Sequence, residues 1–338
     1  MTDELSAPSS LHHWSGYEPS DPKLIALYSK GKTLQWNADT EIDWDQPIDP
    51  SSPLHAAAFP LLDLPIFRRL SPTELDHLTE KLTRLALSQI IHGEQGALMV
   101  ASRLVSIAPD YETKLYAATQ TVDEARHVEV FGRYLRRCGG IVPLAPGFGA
   151  FLDKVIDADS WLTMVIGMQI IVEGAALSSF HTYRRRSREP LLTGILDRVI
   201  RDEARHVGFG STYLRNNLSE MSDDEREHLA DYAYDTVMMF ARTRHESFRQ
   251  SEGILSEFGF SLDEVLHSAA ERLQSGEGAL ADPARDGITE FILPTLTRLG
   301  VLTERVKEKF ASARLPPIMV STLLDELDIL TMSTTREN

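Results

Sequence analysis

A short pattern of carboxylate, guanidinium and imidazole side chains occurs twice in the chain. Residues 123–136 (DEARHVEVFGRYLR) align with residues 202–215 (DEARHVGFGSTYLR), with nine identities in fourteen positions. At the same offset of 79 residues, another glutamate precedes the glutamate of each copy by 30 positions. Each half of the repeat therefore contains a Glu followed by a Glu-x-x-His motif. The six residues are Glu94, Glu124, His127, Glu173, Glu203 and His206.

The spacing within each motif places its Glu and its His on one face of a helix. Residues i and i+3 of an α-helix lie about 5–6 Å apart, so the pair can bind one metal ion. Two helix hairpins around a pseudo-twofold axis would enclose four carboxylates and two imidazoles, as in di-iron and di-manganese bundles. Four buried carboxylates cannot all stay ionised without cations, so we expect two divalent ions. The alternative is an old duplication whose Glu and His side chains serve as polar packing.

Charged residues beside the six predict support for the metal ligands. A metal-bound histidine usually donates its second N–H to a carboxylate, so we expect Asp123 to orient His206 across the pseudo-twofold axis. By the same symmetry, Asp202 is expected to orient His127. The arginines that would neutralise these aspartates are Arg126 and Arg205. The alternative is an ordinary Asp–Arg pair on a helix surface.

Helix signals place the repeat within a bundle of long helices. Ser71 followed by Pro72 is typical of a helix start, and Gly139-Gly140 is typical of a helix end. The long helices are predicted at residues 71–107, 110–137, 158–186, 190–218 and 222–250, with a Pro/Gly loop at 143–149. Strand signals are nearly absent, which predicts an all-α fold. We expect a single domain, 1–338, with an irregular N-terminal arm (1–70), a metal-binding four-helix core of two hairpin repeats (71–220) and additional C-terminal helices (221–338).

Composition narrows the classes of partner. The chain has 34 Lys and Arg against 50 Asp and Glu, a formal net charge of −16, so we expect neither nucleic acid nor an anionic membrane as a partner. No uninterrupted apolar run reaches the roughly 18–20 residues of a membrane span. The one cysteine, Cys138, cannot form an intrachain disulfide, and the start of the chain lacks a signal-peptide pattern. These features predict a cytoplasmic protein.

At the repeated motif, over about residues 90–220, the chain resembles the ferritin-like di-iron carboxylate superfamily. It is similar to catalytic subunits of bacterial multicomponent monooxygenases, to ribonucleotide reductase small subunit-like oxidases and to di-iron N-oxygenases. The resemblance implies a ferritin-like four-helix bundle whose six matching residues bind two Fe ions, or Mn and Fe, and activate O2. It also implies an external electron donor, such as a ferredoxin or a reductase, and a homodimer.

Several residues depart from the patterns of these relatives. Phe131 stands four residues after the first motif histidine, where radical-bearing reductase subunits carry a tyrosine. Gly96 and Met168 stand where the oxidase relatives form a Val–Tyr crosslink. Leu177 replaces the threonine of multicomponent hydroxylases. Val199 replaces the extra histidine of p-aminobenzoate N-oxygenase, whose compact size this chain shares. These departures exclude a tyrosyl radical at position 131 and that crosslink, and they leave the subclass open.

The leading hypothesis is therefore an O2-dependent monooxygenase-type enzyme that hydroxylates, N-oxygenates or desaturates a small organic substrate. The alternatives are a reductase-type oxidase that generates a radical, and a ferroxidase or iron-storage protein. Small residues beside the ligands suggest room for a substrate, although close helix packing would explain them equally well; they are Gly93, Gly96, Gly174, Ala175 and Ala176. A basic cluster suggests docking of an acidic electron donor, with a solvated helix end as the alternative; it comprises Arg184, Arg185, Arg186 and Arg188.

Overall fold

Helices form the regular secondary structure of the described residues, which are 17–48, 54, 58–275 and 287–313 of a computed structural model. The first helices are α1 (Pro22–Thr33), α2 (Pro72–Ile107), α3 (Tyr111–Arg137), α4 (Pro146–Ile156), α5 (Trp161–Val165), α6 (Glu173–Arg186) and α7 (Pro190–Asn217). They are followed by α8 (Asp223–Gln250), α9 (Glu252–Glu257), α10 (Leu262–Gln274), α11 (Leu293–Leu299) and α12 (Glu304–Ser312). The described part contains no β-strand, and the all-α prediction is confirmed.

Side-chain caps start the long helices. At α2, the Ser71 hydroxyl accepts the backbone N–H of Glu74, and the Glu74 carboxylate accepts the backbone N–H of Ser71 at 2.8 Å. Asp110 caps α3 through the N–H of Thr113. Glu189 caps α7 through two backbone N–H groups. These bonds satisfy donors that a helix start would otherwise leave unpaired, and they fix where α2, α3 and α7 begin.

Four helices form the ferritin-like core as two hairpins. Helix α2 packs along α3, and α6 packs along α7, after short connections. Between α5 and α6 the backbone continues as a π-helix, Ile166–Val172, and the N–H of Glu173 bonds to the carbonyl of Met168, five residues earlier. A π-turn widens the helix locally and is common at functional sites. It places Glu173 and the residue one turn before it, Gln169, toward α7.

Two segments predicted to be irregular are helical, and those predictions are wrong. Residues 22–33, within the supposed irregular arm, form α1, with Asp21 as its cap. Only Leu24 and Gly31 of α1 are buried, and the apolar face that it packs on the core is short, with Leu27 and Tyr28 half-buried beside Leu24. The Pro/Gly loop contains the start of α4, because Pro146 occupies the first helical turn and Phe151, Leu152 and Val155 pack against the core. The third long helix begins at Trp161, close to its predicted start.

The continuous helix Trp161–Arg186 is long and apolar enough by composition to cross a membrane, although it contains no uninterrupted apolar run of that length. Within the fold, 72% of its most apolar window is buried. It also carries the buried Glu173, so it is the central helix of the bundle. The single-domain division stays a prediction, and the parts of the predicted C-terminal region at 276–286 and 314–338 lie outside the described residues.

Candidate metal centre

The structure brings all six residues of the repeated motifs together at the centre of the bundle. The six side chains come from α2, α3, α6 and α7 and are all buried. Their exposed fractions lie between 0% and 4%; the residues are Glu94, Glu124, His127, Glu173, Glu203 and His206. Bulk water is therefore excluded from these oxygen and nitrogen atoms.

The six side chains form two overlapping groups, each able to surround one ion. One group consists of Glu94, Glu124, His127 and Glu203, and the other of Glu124, Glu173, Glu203 and His206. In each group, the candidate ligand atoms lie within 4.8 Å of one another. Glu124 and Glu203 belong to both groups. Two adjacent ions with two shared carboxylates fit this arrangement.

Both histidines point the same ring nitrogen at the carboxylates. Nδ1 of His127 lies 3.1 Å from Glu203, 3.2 Å from Glu94 and 3.3 Å from Glu124. Nδ1 of His206 lies 3.2 Å from oxygens of three glutamates; these are Glu124, Glu173 and Glu203. Nδ1 is therefore the atom that would bind a metal, and Nε2 is left for another partner.

That partner is an aspartate from the opposite half of the repeat. Nε2 of His127 lies 3.2 Å from Oδ2 of Asp202, and Nε2 of His206 lies 3.3 Å from Oδ2 of Asp123. The structure thus contains the cross-pairing expected from the sequence. An Nε2–H held by a carboxylate leaves the Nδ1 lone pair free for a metal. The roles of all four residues in metal binding stay a prediction.

Two buried arginines join these aspartates into one charged cluster. Arg126 lies 2.5 Å from Asp123 and 3.2 Å from Asp202. Arg205 lies 2.9 Å from Asp123 and 2.7 Å from Asp202. Each arginine therefore bridges both aspartates, and the alternative of an ordinary surface Asp–Arg pair does not hold. Two guanidinium groups offset two carboxylates, so the cluster can stay ionised in the interior.

The segment after α1 covers this cluster, which the sequence did not predict. The indole Nε1 of Trp36 donates to Oδ2 of Asp202 at 2.8 Å, and Arg126 stacks on the same ring with its Cζ 4.6 Å from the centroid. Gln35 donates to Asp123 at 2.7 Å. A contact between residues 166 positions apart leaves no local pattern in the sequence. The tryptophan in a polar segment was the one available signal.

Two buried glutamines on the other side of the site were also missed. Nε2 of Gln120 donates to Glu173 at 2.7 Å and to Glu124 at 3.1 Å. Gln169 donates to the carbonyl oxygen of Gln120 at 2.6 Å. Both are fully buried. Their position one helical turn before the ligands Glu124 and Glu173 is a signal that inspection of the helix face could have found.

Burial shifts the protonation of the metal-free site. It raises the pKa of Glu94 to about 8, and it raises the pKa of Glu173 well above its ordinary value, aided by Glu203 and Glu124. Burial alone would lower the pKa of His127, but hydrogen bonds with Asp202 and the glutamates outweigh it and raise that pKa. In the metal-free site, protons on these groups therefore offset part of the negative charge that metal ions would otherwise offset.

The donor set suits a pair of transition-metal ions. Oε2 of Glu124 and Oε1 of Glu203 are buried and lie 3.3 Å and 3.1 Å from Nδ1 of His127, but the geometry gives neither of these shared carboxylate oxygens a hydrogen bond. A buried ionised oxygen with no partner is costly, and a bound cation would remove that cost. Carboxylate oxygen with imidazole nitrogen is a ligand set suited to iron or manganese. The residues therefore fit a di-metal cofactor.

Packing decides between the two interpretations of the small residues. A Cβ on Gly96 would lie 2.9 Å from Leu152 of α4, and a Cβ on Gly174 would lie 2.8 Å from Phe291. A Cβ on Gly93 would be in ordinary contact with Phe148. These glycines are covered by side chains from elsewhere in the fold. Close helix packing explains them, and the predicted substrate space at Gly96 and Gly174 is filled.

Two of the residues at which this chain departs from the patterns of similar proteins, Phe131 and Val199, pack in the core. Phe131 is fully buried and stacks on Phe180, with 5.6 Å between the ring centroids. Val199 is also fully buried. In the basic cluster, Arg184 pairs with Asp197 at 2.6 Å, and Arg185 and Arg188 are exposed.

A family model of "P-aminobenzoate N-oxygenase AurF" matches residues 23–250 of the chain. No curated protein matches the chain. Among solved structures, an R2-like ligand-binding oxidase with aerobically reconstituted metal cofactor after photoconversion is 18% identical to this chain, with a TM-score of 0.48. The aligned region covers 84% of this chain and 94% of the oxidase chain. An R2-like ligand-binding oxidase with aerobically reconstituted Mn/Fe cofactor, after a long soak, is 19% identical with a TM-score of 0.44, and the coverage is 84% and 93%.

Proposed function

We propose that this chain transfers oxygen from O2 to the nitrogen of a small organic amine. The chain belongs to the p-aminobenzoate N-oxygenase AurF family. The family match spans residues 23–70 of the arm, both hairpins of the core and all of α8. The enzyme is an O2-dependent oxidoreductase with a di-metal centre. N-oxygenation is the reaction of the family, and it becomes the first choice over hydroxylation and desaturation.

One observation carries the proposal. Two ligand groups, buried in the same bundle, share Glu124 and Glu203. Two adjacent ions with shared carboxylates suit chemistry that needs two electrons at one place. The repeat of the sequence produces this adjacency directly, because each hairpin contributes three of the four residues of one group and one shared glutamate of the other.

When two metal ions are bound, they supply the activation of O2, which the protein side chains cannot perform. Glu94 and His127 would hold one ion, Glu173 and His206 the other, and the shared carboxylates would lie between them. Asp202 holds the Nε2 proton of His127, which fixes the tautomer and the direction of the Nδ1 lone pair. The buried aliphatic and aromatic residues around the site exclude bulk water from the carboxylates and imidazoles that would hold the ions.

The reaction can be tested with oxygen-18 gas and a panel of amines. Reduced, iron-loaded protein is mixed with p-aminobenzoate, with other aryl amines and with aliphatic amines, and products are analysed by mass spectrometry. We expect oxygen-18 on nitrogen for at least one class of amine, and none with the variant Glu203→Ala. Incorporation only on carbon would overturn N-oxygenation and return the reaction to hydroxylation.

The two alternative functions are not favoured by the family. Phe131, buried against Phe180, occupies the position of the radical tyrosine in reductase subunits. For a ferroxidase or storage role, size-exclusion chromatography discriminates, because a storage cage elutes at hundreds of kilodaltons. A single oxygenase chain of 37.8 kDa or its dimer elutes far later.

We also propose that an external acidic donor, such as a ferredoxin or a reductase, reduces the site by docking at the end of α6. Arg185 and Arg188 are exposed there, and the chain is otherwise strongly acidic. Complementary charge accelerates encounter and makes it sensitive to salt. Reversing both charges should slow reduction by the donor and remove its salt dependence. An unchanged reduction rate would contradict this docking site.

A homodimer is proposed through the outer faces of α2 and α3. Met99 and Val122 are 48% and 55% exposed, and Ala118 and Ala125 continue an uncharged stripe along α3. Exposed apolar stripes of this kind often become contact surfaces. Light scattering should give twice the chain mass, and Val122→Glu should give the monomer.

We propose a cytoplasmic location, since the one cysteine, Cys138, is buried and forms no disulfide; cell fractionation tests it.

A further inference from the structure

The buried amide of Gln120 lies against the metal-binding carboxylates, one helical turn before Glu124. Both hydrogens of its Nε2 are used, in bonds of 2.7 Å to Glu173 and 3.1 Å to Glu124. Its carbonyl oxygen accepts from Gln169 at 2.6 Å. Every polar atom of the Gln120 side chain therefore has a partner, although the residue is fully buried. This amide links the two hairpins of the core.

The hydrogen-bond partners assign the orientation of both amides. If Gln120 were turned over, its carbonyl oxygen would face Glu124 and Glu173, which only accept hydrogen bonds in the ionised form that binds a metal. If Gln169 were turned over, two carbonyl oxygens would face each other. Gln169 is held in turn by close packing, because a Cβ on Gly210 of α7 would overlap its side chain. The direction of the hydrogen bonds therefore runs from Gln169 through Gln120 to the carboxylates.

This arrangement exists in only one half of the repeat. At the offset of 79 residues, Gln120 corresponds to Val199 and Gln169 corresponds to Ile90. Val199 is fully buried and Ile90 is half-buried, and neither side chain can donate a hydrogen bond. The positions that correspond to the two glutamines therefore offer Glu94 no amide donor of the kind that Gln120 offers Glu173. The ligands are repeated, but their surroundings are not.

We propose that Gln120, held by Gln169, is a positioning residue that orients Glu173, so that the Glu173–His206 position takes the first metal ion. The inference rests on the proposed function, because it assumes a di-metal site. A carboxylate already fixed by a hydrogen bond loses less freedom when it binds an ion, which raises affinity. The Glu94–His127 position lacks this restraint and fills second.

The test is an anaerobic titration of metal-free protein with Fe(II), in which calorimetry measures the heat of each binding step. We expect two binding steps of unequal affinity. The variant Gln120→Met keeps the volume but removes the donors, and it should weaken the tighter step by roughly 10- to 100-fold, the usual effect of losing a partner that orients a metal ligand. The looser step should not change. Glu94→Ala should retain the tighter step, and Glu173→Ala should lose it.

The matched control is Val199→Ala, at the corresponding position of the other half. It should lower the melting temperature through lost packing and leave both iron affinities unchanged. If Gln120→Met does not fold, Gln169→Met frees the amide of Gln120 while leaving it in place, and it should weaken the same step. Equal affinities in the unmodified protein, or equal losses in both steps, would overturn the inference. Failure of the unmodified protein to bind any iron would instead overturn the proposed function.

Discussion

The carboxylate of Asp202 meets the imidazole of His127 across the two halves of the repeat, with 3.2 Å between Oδ2 and Nε2. The aspartate belongs to α7 and the histidine to α3. The same aspartate precedes the ligand Glu203 in sequence. One short motif would therefore supply a metal ligand to its own half of the site and an orienting group to the other half.

Asp202→Ala should weaken iron binding by roughly 10- to 100-fold, because His127 loses the group that fixes its tautomer and direction. Iron affinity is measured by anaerobic calorimetry. The matched control is Asp197→Ala on the same helix, which removes only a surface partner of Arg184. That control should bind iron normally. An Asp202→Ala protein with unchanged iron content and affinity would show that the aspartate has no part in metal binding.

Trp36→Phe should cost more stability than Trp44→Phe. Each indole lies under an arginine, Arg126 or Arg133, but Trp36 donates to the charged Asp202 whereas Trp44 donates to the backbone carbonyl of Ala38. Hydrogen bonds to charged groups contribute about 1.5–3 kcal/mol, and neutral ones about 0.5–1.5 kcal/mol.

Urea unfolding of the metal-free proteins measures the difference in free energy of unfolding between these two variants. Trp36 is buried and Trp44 is half-buried, so lost packing adds to the difference in the same direction. Equal losses in the two variants would mean that the indole–aspartate bond contributes nothing beyond packing.

Iron loading should release protons, and apparent affinity should rise with pH. Burial raises the pKa of Glu94 to about 8 in the metal-free site, so below that pH the carboxyl is mostly protonated and must lose its proton to bind an ion. Affinity should therefore increase from about pH 6 to about pH 8, and the contribution of Glu94 should then level off.

Calorimetry in buffers of different ionisation enthalpy counts the released protons. Glu94→Gln, which has no such proton to lose, should release fewer per chain. Loading without proton release at about pH 7 would contradict the raised pKa.

Gly174→Ala should destabilise the protein, and Gly194→Ala should not. A Cβ on Gly174 would lie 2.8 Å from the ring of Phe291, beside the ligand Glu173, while a Cβ on Gly194 would meet no atom within 4 Å. Alanine in an open helix position gains up to about 1 kcal/mol over glycine, whereas overpacking typically costs about 1–3 kcal/mol. Thermal unfolding compares the two variants. A stabilised Gly174→Ala protein would show that Phe291 moves aside freely, and it would reopen the question of substrate space there.

The long helices and the convergence of the six side chains follow from local signals. Ser71 caps α2 as predicted, α3 begins next to its predicted start at residue 110, and the repeat at 79 residues places the motifs on facing hairpins. Periodicity detects a helix only where one face is buried. Helix α1, with two buried residues, escaped detection for that reason, and α4 was hidden by the proline and glycines at its start.

Contacts that depend on distant parts of the chain were beyond the sequence. The bond from Trp36 to Asp202 joins residues 166 positions apart, and the bond from Gln120 to Glu173 joins residues 53 positions apart. The covering of Gly174 by Phe291 likewise requires knowing where the chain after α10 returns. Side-chain types that serve equally well on a surface, such as glutamine, reveal their role only once the surrounding helices are in place.

If this bundle holds an oxygen-activating pair of metal ions, the metal-free protein should take up two ferrous ions per chain, and O2 should oxidise both. The measurement is anaerobic loading with iron-57, determination of iron per chain, and Mössbauer spectra before and after mixing with O2. The variant Glu203→Ala should lose this behaviour. Well under one equivalent of any transition metal per chain would contradict this prediction and would leave the repeat as polar packing alone.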